Sequence, residues 1–194
     1  MLSDVERYGL LTVALRPSGY VYDYYGLTNQ ERVLVEDTCE IFDKSDTPAS
    51  LEAARSIPTL QPVDSSGLEP YSATLVETLN SWTKTQLRVR AGGGVDPEVG
   101  LALVEISQTQ TVHPFESRSI SKSLAHVLKQ LHNNTTQRTG HFSFERNGLI
   151  FDGPRIYLVK PALRGRWTRV AALNDANVIS THIAEARRHA SISK

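Results

Sequence analysis

One cysteine, Cys39, is all that the 194 residues contain. An intrachain disulfide framework and a cysteine-built zinc cluster are therefore both excluded. The longest apolar runs span a few residues, far short of the roughly 20 that a membrane span needs. No membrane association is expected. The N-terminus places Asp4 and Glu6 where a secretion signal carries basic residues and then an apolar core. Cytoplasmic residence is the expectation.

Net charge is also absent, with 21 Lys+Arg against 21 Asp+Glu. The balance is uneven along the chain. Residues 1–117 carry 8 basic and 17 acidic side chains, whereas residues 118–194 carry 13 and 4. Such a split marks either a polyanion-facing half or two halves that face each other. Hydrophobic content of 40% excludes wholesale disorder, and the length suffices for one large or two small domains.

The pattern along the chain alternates helix and hairpin signals. Ser3 with Glu6, and Thr28 with Glu31, are spaced as capping boxes, in which hydroxyl and carboxylate each satisfy an orphan backbone donor. The second opens a helix through Val33–Val35 and Ile41-Phe42, with Glu36, Asp37, Glu40 and Asp43 expected on its outer side. The segment 44–69 reads as an extended, proline-rich surface connector. Tyr71, Leu75, Leu79 and Trp82 form a helical stripe behind Pro70.

Residues 86–90 and 101–106 read as a hairpin, with Gly92-Gly93-Gly94 as its flexible loop. Ile120, Leu124, Val127 and Leu131 mark a helix that ends in the polar run 132–136. Residues 141–144, 148–151 and 155–159 form a three-stranded meander, punctuated by Asn147-Gly148 and Asp152-Gly153. A helix over about 174–189 closes the pattern. The expected fold is α+β, with a mainly antiparallel sheet of about five strands packed by amphipathic helices. The expected division is an acidic helical segment with its connector, 1–69, and an α+β domain, 70–194, with a basic C-terminal part.

Few residues are spaced for catalysis. The triple glycine lacks the lysine of a phosphate loop. Asp96, Glu98 and Glu105 flank one strand as a metal-dependent nuclease would need, but Ser107 stands where its lysine belongs. No two of the six histidines have the i, i+4 spacing of a zinc pair. Cys39 sits among acids, which argues against a reactive thiolate. No catalytic or metal-ligating residue is assigned.

Binding chemistry is better represented. Lys160, Arg164, Arg166 and Arg169 surround Trp167, with Arg138, Arg146 and Arg155 from the meander region. Arginine forks beside an aromatic ring suit phosphate and base contacts. The competing reading is that this surface packs on the acidic half or on an acidic partner. Tyr20, Tyr22, Tyr24, Tyr25 and Leu27 suggest an amphipathic protein-contact surface.

The run from Tyr22-Asp23-Tyr24-Tyr25-Gly26-Leu27-Thr28 to Val35-Glu36-Asp37 resembles a signature near the C-terminal end of large adenine-specific DNA methyltransferases of restriction–modification and phage-defence systems. Residues 56–62 and 71–82 are similar to the stretch C-terminal to that signature in a subset of those enzymes. So is the tail Ile156–Pro161 with Arg166-Trp167-Thr168-Arg169 and 172–176. The chain lacks the Asn/Asp-Pro-Pro-Tyr/Phe motif of such enzymes and their glycine-rich loop for S-adenosylmethionine. The resemblance thus implies their non-catalytic C-terminal module as a separate chain, without a cofactor. It would dock on a larger protein subunit, a methyltransferase or another defence protein, and contact DNA. The alternatives are a protein-only scaffold whose basic face meets an acidic partner and, third, the nuclease.

Overall fold

The computed structural model describes residues 19–46, 50, 56–83, 88–110, 115–138 and 148–192, with the backbone alone for 130–138 and 190–192. The Ser3 capping box and the strand expected at 141–144 lie outside these residues.

Helix α1 covers Gly19–Tyr24 and α2 covers Asn29–Asp37. The Thr28 capping box starts α2 as the spacing requires. Thr28 Oγ1 accepts from the Glu31 amide at 3.3 Å, and the Glu31 carboxylate accepts from the Thr28 amide at 2.8 Å. These bonds hold the Glu31 carboxyl below its ordinary pKa, the Thr28 backbone donor first. Arg32 fastens α1 to α2. It donates to Asp23 at 2.7 Å and lies 5.6 Å from the centre of the Tyr22 ring. The chain continues from α2 through a π turn, Thr38–Phe42, into the short α3, Asp43–Asp46.

Helix α4 spans Leu68–Trp82. Strands β1, Arg88–Asp96, and β2, Leu101–Thr109, pair antiparallel from Arg88↔Thr109 to Asp96↔Leu101. A two-residue strand β3, Glu116–Ser117, runs parallel to β1 at Gly92 and Gly93. Helix α5 follows at Ser121–Arg138. Strands β4, Gly148–Asp152, and β5, Arg155–Pro161, form a second hairpin that turns on Gly153 at φ 53°. Helix α6 is Arg169–Ile192. The sheet order is β3-β1-β2-β5-β4. The fold is α+β as expected. Its sheet is mostly antiparallel, with β1–β3 as a parallel pair.

Three expectations are corrected. The triple glycine is not a loop but the middle of β1, and the turn falls at residues 97–100. Neighbouring backbone passes too close there for side chains. A Cβ on Gly93 would overlap the Leu103 carbonyl, one on Gly94 would overlap the Arg118 carbonyl, and one on Gly92 would lie 3.2 Å from the Glu116 carbonyl. Helix α5 also runs through the polar stretch at 132–136 instead of ending there. Helix α6 begins at residue 169 rather than 174, because Thr168 Oγ1 caps it by accepting from the Ala171 amide at 3.0 Å.

Helices α4 and α6 cover one sheet face and α5 covers part of the other. Tyr71, Leu75 and Leu79 of α4 meet Ala172, Ala176 and Ile179 of α6 over Val104, Ile106 and Leu158. Ile120, Leu124 and Val127 meet Leu103, Ile150, Tyr157 and Val159 on the opposite side. β2 is thus buried on both faces over Ala102–Ile106, which accounts for the apolar run Leu101–Val104. Each leucine, isoleucine or valine among them contributes about 1.5–3 kcal/mol by leaving water. Trp82, the last residue of the expected α4 stripe, stands 44% exposed.

Candidate functional site

Alternation along β5 decides where its basic residues point. Leu158 and Lys160 share a face under α4 and α6, so Lys160 enters the interior and is only 3% exposed. Its ammonium pairs with the Asp175 carboxylate of α6 and donates to the Arg166 carbonyl at 3.3 Å. It lies 5.0 Å from the centre of the Tyr71 ring and 5.2 Å from that of Trp167. Tyr71 donates its hydroxyl to the same Asp175 oxygen at 2.6 Å. Trp167 donates to the Pro161 carbonyl at 2.9 Å and meets Tyr71 edge to face.

Burial pushes the Lys160 pKa below its ordinary value against the pull of Asp175. Burial first, and Asp175 second, push the Tyr71 phenol well above its own. This cluster ties β5 to α4, α6 and the turn at Arg164–Arg166. Lys160 and Trp167 are therefore interior residues, placed away from the surface expected of them.

Arg169 is also engaged. It reaches Glu36 at 2.7 Å and Asp37 at 3.1 Å, while Asp37 accepts from the Val170 amide at 2.8 Å. Asp37, expected on the outer side of its helix, is 3% exposed and sits against the N-terminus of α6, where a carboxylate is favoured. Burial opposes the Arg169 charge, but Glu36 and Asp37 outweigh it and raise the pKa. The acidic and basic halves therefore touch along this seam.

The described part of the connector from residue 56 onward is also tied into the domain rather than only lying on its surface. Val63 is buried and donates its amide to the Ala162 carbonyl at 2.9 Å, and Arg164 donates its amide to Gln61 at 2.8 Å. Between connector, α2 and the turn lies a cleft of about 650 Å³, lined by both signs of charge, with Glu36, Asp37 and Asp64 facing Arg164 and Arg169.

The remaining expected basic residues do not form one patch. Arg164 and Arg166 are exposed just after β5 ends, whereas Arg155 is exposed where β5 begins. At about 3.3 Å per residue the strand separates them by roughly 20 Å. Arg146 lies outside the described residues, and Arg138 is described by its backbone alone. Tyr20 and Tyr24 of α1 and Tyr25 in the turn after it are 86%, 84% and 71% exposed. Tyr22 points inward at 5%, its pKa raised by burial and then by Glu36. Leu27 is half-buried.

The three carboxylates that a nuclease would use do not converge. Asp96 accepts from the amides of Glu98 and Val99 in the β1–β2 turn. Glu105, 6% exposed in mid-strand, pairs with Arg118 at 2.6 Å and faces Arg155 at 3.9 Å. Among the described residues no three of His, Cys, Asp and Glu stand close enough to hold a metal ion. No described helix is long and apolar enough to cross a membrane.

Residue patterns had announced neither Asp175 with Tyr71 nor Arg118 with Glu105. A period-two reading of Ile156–Lys160 carries one usable signal, because it places Lys160 on the side of Leu158. No protein-family model matches the chain, and neither a curated protein nor a solved structure proves similar to it.

Proposed function

We propose that the protein is a non-catalytic accessory subunit of a DNA modification, restriction or antiphage complex in the cytoplasm. It docks through α1 on a larger subunit and touches DNA through arginines. The observation that carries the docking half is the exposure of Tyr20 and Tyr24 on a single short helix and of Tyr25 in the turn that follows it. Such rings present large amphipathic area at low entropic cost and are enriched where proteins meet. The sequence resemblance supplies the class of partner.

Co-purification tests the docking half. The protein carrying Tyr20→Ser with Tyr24→Ser keeps its fold but loses its large partner. If the partner stays bound, α1 is not the contact. A protein-only scaffold is the second reading, favoured by the burial of Lys160 and Trp167 and the neutralisation of Arg169. A complex that survives nuclease treatment and never retains DNA supports that scaffold.

A further inference from the structure

We propose that Arg32 is the positioning residue of the docking surface, holding the tyrosine helix α1 in the shape that an apolar groove on the larger subunit receives. The inference rests on the docking half of the reading above and names what readies that surface. The described part of α1 is six residues long, well below the roughly 12–15 that a helix needs to persist in water by itself. Its order therefore comes from what it leans on.

The C-terminal end of α1 shows how it is held. Gly26, at φ 64°, closes the helix. Leu27 donates its amide to the Tyr22 carbonyl at 2.9 Å, and Gly26 donates its own to the Asp23 carbonyl at 3.1 Å. Arg32, one turn into α2, grips this cap from the side. Its Nε donates to the Leu27 carbonyl at 3.0 Å and its Nη2 to the Asp23 carboxylate at 2.7 Å. The same guanidinium lies 5.6 Å from the centre of the Tyr22 ring. One rigid fork thus fixes the helix end at three points, and it sets a cation where the helix dipole favours one.

The other side of α1 stays bare. Tyr22 points inward, so Tyr20, Val21 and Tyr24 share the outer face at i, i+1 and i+4, and Val21 is 40% exposed between the two rings. Tyr25 meets Tyr24 edge to face at 5.2 Å and buttresses it. Anchors at i and i+4 are the spacing by which a helix fills a groove. Asp23 is the one charged side chain of α1, and Arg32 pairs with it, so the helix and its clamp are neutral together. The ridge offers ring area rimmed by phenol hydroxyls, which suits an apolar groove better than a charged face. Docking is weakened when a partner must order what it binds, and a helix already held in its bound shape avoids that loss.

The test uses the full-length protein with its co-purified large partner. Arg32→Gln should speed hydrogen exchange at the Tyr25, Gly26 and Leu27 amides about tenfold or more, with the α4 and α6 amides unchanged, and should weaken the partner by a similar factor. Gly19→Ala adds helix propensity to α1, and no described atom lies within 4 Å of the new Cβ. Placed on Arg32→Gln, it should recover about two- to fivefold in both readings, which the loss of a simple contact would not allow. Tyr20→Ser with Tyr24→Ser should lose the partner while the α1 amides stay slow. Native exchange in Arg32→Gln, or native affinity there when the tyrosine variant no longer binds, overturns the positioning role and leaves the docking reading standing. If the tyrosine variant binds as the native protein does, the docking reading falls and this role with it. Binding that collapses at about 1 M salt, where screening acts beyond about 3 Å, makes the contact ionic and overturns the apolar groove.

Discussion

The two faces of the sheet treat positive charge in opposite ways. On the α4 and α6 face, Lys160 is sealed among Tyr71, Trp167 and Asp175, and its ammonium, the Tyr71 hydroxyl and the Trp167 indole N–H each donate to a partner. On the α5 face, Glu105 is the buried anion and Arg90, Arg118 and Arg155 remain at the solvent boundary. The first arrangement is paired and dry, so its charge acts on the fold. The second keeps its charges nearer the solvent boundary, with Asp152 opposite Arg155 in the register of β4 and β5. Basic residues a few positions apart on β5, Arg155 and Lys160, thus belong to different problems.

Breaking the dry side gives the largest effect. Asp175→Ala leaves a buried ammonium without its counter-ion and should cost about 3–5 kcal/mol in urea unfolding. Replacing the pair together, Lys160→Met with Asp175→Leu, should restore much of that loss. If the single and double variants melt alike, the pair is not the anchor of this face. Next is the seam between the acidic and basic halves. Arg169→Ala should cost about 1.5–3 kcal/mol by taking the charged donor from Asp37, read in the same measurement. Gly94→Ala should cost about 1–3 kcal/mol, because the Arg118 backbone must shift, and it should disturb the wet side before the dry one.

The dry side also predicts a pH dependence. The folded Tyr71 pKa lies above its unfolded value of about 10, so its contribution is complete below that pH and is lost as pH rises further. Lys160, held below its ordinary value of about 10.4, works the other way, adding stability as pH climbs towards that value. Above it only the tyrosine acts, and stability falls. Tyr71→Phe should flatten that fall in alkaline melts. The smallest effect belongs to α1, where Tyr24→Ser should change stability by less than about 0.5 kcal/mol. A larger change would mean that this helix serves the fold more than a partner.

Local rules were legible in the sequence where they act alone. The Thr28–Glu31 box, the Tyr71–Leu75–Leu79 stripe and the Asp152-Gly153 turn each need only a few neighbouring residues, and each is found. What the sequence hid depends on distant chain. Glycines at 92–94 look like loop until the backbone of residues 103 and 116–118 is laid against them. Asp37 looks like solvated charge until the N-terminus of α6 arrives. The candidate site was less legible still. Arg155, Arg164 and Arg166 are on the surface as expected, but Lys160 and Trp167 are not, and Arg90 and Arg118 stood out in no pattern.

The seam at Asp37 has a bearing on synthesis. Asp37 and its counter-charge Arg169 are 132 residues apart. At about 5–20 residues per second, α2 spends on the order of ten seconds outside the ribosome before Arg169 has been made. During that interval its carboxylates face solvent and the tyrosine helix beside them has no fixed neighbour on α6. A partner already present in the cell would meet α1 and α2 before the rest of the fold closes behind them, so assembly during translation is open to this chain from its first helices onward.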